Sequence, residues 1–77
     1  MTDKEKVIQL LLDNGFERRN DRWSMFKNNE YRVFVGVMED VINISPIDES
    51  DPTNVFSFLE LVGFLYLKYG KVYISEI

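Results

Sequence analysis

The chain has 77 residues, no cysteine, no histidine and a formal net charge of −4. Those absences exclude disulfides, thiolate chemistry, histidine general bases and every Cys/His zinc site; no cofactor is expected. A domain of this size buries only about 60% of the surface its unfolded chain exposes, so it needs a dense core or a partner, and a hydrophobic content of 45% can supply the core.

The first element predicted is an amphipathic helix. Thr2 and Glu5 have capping-box spacing, and Val7, Ile8, Leu11 and Leu12 fall on one face at helical period. Asn14-Gly15 ends it, with Phe16 placed to touch Leu11.

From residue 16 to residue 45 the pattern changes to alternation and tight turns. Turns at 20–21, 28–30 and 39–40 define four strands of an antiparallel meander, at 16–19, 22–27, 31–38 and 41–45. In that register one face collects Phe16, Trp23, Met25, Val33, Val35, Val37, Ile42 and Ile44. Changing the middle turn by one residue would break the pattern, because side chains alternate with period two. Pro46 stops the fourth strand, and Asp48 to Asp51 form a solvated loop. Asp51-Pro52 reads as a helix entry, with a second helix over 52–69 closed by Gly70. Residues 71–75 alternate as a final strand. The expected class is α+β: an N-terminal helix, an antiparallel four-strand meander, a second helix and a C-terminal strand, with both helices packed on one sheet face, in a single domain over 1–77.

The longest apolar stretch, residues 55–67, contains Ser57, Glu60 and Gly63 and falls short of the roughly 20 residues a membrane span needs. The charged N-terminus lacks a secretory pattern, so a cytoplasmic protein without membrane contact is expected.

Three surfaces are candidates for binding. The second helix is apolar almost all round. A stripe of Val55, Phe58, Leu59, Val62, Leu65, Tyr66 and Tyr69 suffices to cover the sheet, which leaves Phe56, Gly63, Phe64 and Leu67 as a homodimer seam or partner groove. The outer sheet face is expected to show Phe26, Phe34, Met38 and Val41 flanked by arginines, a composition enriched at protein interfaces. Charge is the third signal. Residues 33–67 hold six acids and no base, whereas residues 16–32 hold five bases against three acids. Glu39, Asp40, Asp48, Glu49 and Asp51 could meet a basic partner surface. Arg18, Arg19, Arg22 and Arg32, interleaved with aromatics, could meet single-stranded nucleic acid, although the net charge makes nucleic acid the weaker expectation.

Asp48, Glu49 and Asp51 lack an EF-hand pattern, so no metal site is expected. The four glycines are too scattered for a phosphate-cradling loop. The leading expectation is a non-enzymatic protein-binding domain, such as a small acidic inhibitor of the immunity or anti-defence type found in bacteria and phage. That last step is an analogy of size and charge. The alternatives are a single-stranded nucleic-acid-binding domain using residues 18–34 and a structural homodimer without separate ligand.

Overall fold

The computed structural model describes residues 3–20, 25–36 and 40–75. Helix α1 (Asp3–Asp13) leads into five strands, β1 (Glu17–Asn20), β2 (Met25–Lys27), β3 (Tyr31–Val35), β4 (Ile42–Pro46) and β5 (Thr53–Val55), followed by helix α2 (Phe58–Tyr69). The strands form one antiparallel sheet in sequence order. The protein is therefore α+β, as its residue pattern predicts.

Helix α1 ends as Asn14-Gly15 implies. Gly15 takes the left-handed conformation, φ 88°. The Phe16 N–H donates to the Leu11 carbonyl at 3.0 Å and the Gly15 N–H to that of Leu12 at 3.3 Å, a Schellman closure. Phe16 is buried. The helix buries Val7, Leu10 and Leu11, while Leu12 is exposed. Leu10 thus takes the core place expected of Leu12, because α1 is rotated toward its Leu10 side. Thr2 lies outside the described residues.

The middle turn decides the sheet's faces. Asn28 accepts from the N–H groups of Glu30 and Tyr31 through its side-chain oxygen, at 2.8 and 2.7 Å, while its own N–H donates to the Tyr31 carbonyl. This Asx turn leaves a tip of only Asn29 and Glu30. Phe26 therefore pairs with Val33 and Met25 with Phe34. The expected three-residue turn would have paired Met25 with Val33. Shortening it by one residue flips β2, so Phe26 is fully buried in the core and Met25 turns to the outer face. Phe26 is not an exposed binding residue.

The β3–β4 register differs by an even number of residues from expectation, so no side chain changes face. Val35 pairs with Ile42 and Val33 with Ile44, and all four are buried as expected. The Gly36 N–H still donates to the Val41 carbonyl at 2.9 Å. The first hairpin is longer than a two-residue turn allows, with Arg18 opposite Phe26. Arg22, Trp23, Val37, Met38 and Glu39 lie outside the described residues.

The second helix starts later than Asp51-Pro52 suggested. Thr53 and Val55, both β-branched, join the sheet as β5 opposite Ile44 and Ile42. Ser57 then caps α2, its hydroxyl accepting from the Glu60 N–H at 3.1 Å, while the Glu60 carboxylate accepts from the Phe56 N–H. Gly70, φ 73°, ends the helix. Residues 71–75 do not form the expected strand, because β5 already occupies that sheet edge and the chain leaves α2 toward the end of α1. There the Asn14 carboxamide donates to the Tyr73 carbonyl at 2.7 Å and accepts from the Tyr73 N–H at 2.8 Å. Asn14 substitutes for a strand partner, and Ser75 adds a hydrogen bond to Asp13.

One core holds these pieces. Val7, Leu10 and Leu11 of α1, Phe16, Phe26, Val33, Val35, Ile42, Ile44 and Val55 of the sheet side, and Leu61 and Leu65 of α2 form a single buried cluster.

Candidate functional site

Helix α2 has no residue type that would force one side into water apart from Glu60 and Lys68. Its orientation is set by its neighbours. Leu61 and Leu65 are buried, and Phe58, Val62 and Phe64 pack partly against the core. The Phe64 ring meets Tyr31 edge-to-face at 5.5 Å, and the Lys68 ammonium lies 5.8 Å over the Phe64 ring. At the C-terminal end, the Asn28 carboxamide donates to the Tyr69 hydroxyl at 3.0 Å, tying the β2–β3 turn to the helix. Burial pushes the Tyr69 hydroxyl above its ordinary pKa, against the smaller opposing effect of that hydrogen bond.

The opposite face of α2 is open. Leu67 is 84% exposed, Leu59 77% and Tyr66 58%, with Phe56 just ahead of the helix at 62%. Gly63 lies among them, and a side chain there would meet nothing within 4 Å. Of the expected seam, Phe56, Gly63 and Leu67 are exposed together, whereas Phe64 is half-buried against Tyr31. Leu59 and Tyr66, expected to cover the sheet, belong to the open face instead. The helix is turned so that Leu61 fills the core. The legible signal was the Ser57–Glu60 cap, which fixes where α2 starts.

The other candidate residues are distributed differently from the expectation. Asp40 follows β3, at the sheet end near the start of both helices, in a shallow cleft with Lys4, Val41 and Phe56. Val41 is half-buried there. Asp48, Glu49 and Asp51 lie at the opposite sheet end, so the acids do not form one surface. There they are joined by Glu30, and all four are exposed. Glu30, Asp48 and Asp51 rim a cleft of about 460 Å³ with Tyr31, Phe64 and Lys68. Asp48 accepts from the Ser50 hydroxyl and N–H, which hold its carboxyl below the ordinary value. Among the described residues, no three acidic side chains converge as cation ligands.

The outer sheet face carries Met25, Phe34, Asn43 and Asn54 in one row and Lys27, Arg32 and Ser45 in the next. The Asn43 carboxamide donates to that of Asn54 at 2.8 Å, and the Ser45 hydroxyl donates to Asn43 at 2.6 Å. Phe34 is exposed there, as expected, without Phe26 beside it. Arg32 shares this face, but Arg18 sits on the core side of β1, 5.8 Å over the Phe26 ring, and Arg19 pairs with Glu17 at 3.8 Å. The described arginines do not form a single basic track.

No protein-family model, curated protein or solved structure matches this chain. No helix among the described residues is long and apolar enough to cross a membrane.

Proposed function

We propose that the protein is a non-enzymatic protein-binding domain that docks through the open face of α2. The observation that carries this reading is the contiguity of Phe56, Leu59, Tyr66 and Leu67, four large apolar side chains each more than half exposed around Gly63. Single exposed hydrophobics are ordinary, but a contiguous apolar patch on a small soluble fold marks a contact surface. Within α2 the anchors are Leu59, Tyr66 and Leu67, at i, i+7 and i+8 on one face, and an amphipathic helix that lays its apolar face against a partner is a recurrent docking element.

The test is affinity capture from source cells with wild type and with Leu59→Asp/Leu67→Asp. Both substitutions lie at exposed positions, so the variant keeps its circular dichroism spectrum. The expected result is a protein, a second copy of this chain included, retained by wild type and lost by the variant. An identical retained set refutes the reading.

A second reading, an acidic inhibitor facing a basic partner, draws on the gathering of Glu30, Asp48, Glu49 and Asp51 at one sheet end. Binding of that kind weakens with salt and with neutralisation of those acids. The nucleic-acid alternative has less support, because Arg18, Arg19 and Arg32 are dispersed.

A further inference from the structure

We infer that the occupant of the open α2 face is a second copy of this chain, packed antiparallel about a two-fold axis that passes Gly63. The inference rests on the docking reading above and adds the partner and its geometry.

The face is self-complementary. Leu59, Gly63 and Leu67 form one i, i+4, i+8 ridge with its only gap at the centre. An antiparallel two-fold at Gly63 sets Leu59 of one copy against Leu67 of the other, twice, and glycine against glycine at the crossing. Helices pack with axes about 8–10 Å apart, and the missing side chain at position 63 permits the near end of that range. The space beside Gly63 is open in the single chain.

Charge selects the same arrangement. Glu60 and Lys68 lie on one flank of the ridge, near its two ends. The antiparallel two-fold keeps that flank shared and brings Glu60 of each copy beside Lys68 of the other, within about two residues, or roughly 3 Å, along the axis. A parallel two-fold puts the two flanks on opposite sides and forms no such pair between the copies. Antiparallel helices also align their dipoles favourably.

Area sets the strength. The four large side chains expose on the order of 500 Å² per copy, judged from the area a large side chain buries. A standard interface takes about 800 Å² per partner. The dimer is therefore a small one, concentration-dependent, and formed by chains that fold alone.

The experiment joins sedimentation equilibrium with cysteine pairing, which the cysteine-free chain makes clean. Across about 10 μM to 1 mM, a range that brackets a small interface, the wild-type mass rises from 9.1 kDa toward twice that value. Leu59→Asp/Leu67→Asp stays at the chain mass. Under mild oxidation, a mixture of Leu59→Cys and Leu67→Cys chains gives the mixed disulfide in preference to either homodimer. Gly63→Ala raises the melting temperature at low concentration, because alanine suits a helix interior better, yet weakens association at least several-fold by filling the crossing.

A wild-type chain that stays at 9.1 kDa up to 1 mM overturns the second-copy inference. The docking reading is judged separately, by the capture comparison. A dimer insensitive to the aspartates, preferential Leu59→Cys self-pairing, or association unchanged in Gly63→Ala also overturns the inference.

Discussion

Exchanging Met25 and Phe26 between core and surface is the largest consequence of a single turn in this fold, and mutation of the pair tests it. Phe26 is fully buried and its ring also lies under the Arg18 guanidinium, whereas Met25 is half-buried on the outer face. Truncating a buried phenylalanine to alanine costs about 3–5 kcal/mol. A chain of this length has a total stability of roughly 4–12 kcal/mol, so at the low end of that range Phe26→Ala would not fold. Phe26→Leu is the measurable variant. It keeps most of the burial and loses about 1–2 kcal/mol through the cavity and the lost cation–π contact. Met25→Ala, which removes a side chain facing solvent, costs about 1 kcal/mol or less. Urea unfolding followed by far-UV circular dichroism reads both. With a slope of about 1 kcal/mol/M, Phe26→Leu lowers the midpoint by about 1–2 M. Met25→Ala shifting the midpoint more than Phe26→Leu would refute the pairing of Phe26 with Val33.

Asn28→Ala removes the acceptor for two backbone N–H groups and the tie to Tyr69, and should cost about 1–2 kcal/mol in the same assay, while Asn28→Asp, which keeps the acceptors, costs less. Asn14→Ala frees the Tyr73 N–H and carbonyl; hydrogen exchange at the Tyr73 amide should accelerate at least tenfold while amides of β3 and β4 keep their protection. Gly70→Ala forces a side chain into left-handed backbone and should lower stability by about 1 kcal/mol in thermal melts. Asp13 is held below its ordinary pKa of 3.8 first by Ser75 and then by Gln9. Because the folded pKa is the lower one, the favourable contribution is present above about pH 4 and disappears as pH falls through the folded value. Carboxyl NMR titration should place Asp13 below 3.8 in wild type and nearer 3.8 in Ser75→Ala.

Much of the architecture was legible because local chemistry and tertiary structure agree. Asn14-Gly15-Phe16 closes α1 as its residue types demand, and the alternation of Val33, Val35, Ile42 and Ile44 survives a two-residue register change because its period is two. The reading failed where one side chain redirected the backbone. Asn28 shortens its turn through a carboxamide that stands in for a carbonyl, and no hydrophobic pattern records that. Asp51-Pro52 is a good helix entry in isolation, but the open edge of β4 captured Thr53 to Val55 and left the cap to Ser57. Asn14 pairs with Tyr73 across most of the chain's length, which no local pattern encodes.

For the candidate site, composition made the surplus of apolar residues on α2 plain. Which of them face water depended on Leu61, whose burial follows from how β5 and the Ser57 cap aim the helix. The acids looked like one segment along the chain, yet β4 carries Asp40 and Asp48 to opposite ends of the sheet.

The most direct measurement of the α2 contact is an isotope-filtered NMR spectrum of an equimolar mixture of methyl-labelled and unlabelled chains at about 1 mM, a concentration suited to a small interface. Magnetisation passing from Leu67 methyls of one chain to Leu59 methyls of the other is the predicted result. Leu67 methyls that show no transfer to any other chain at that concentration would contradict it.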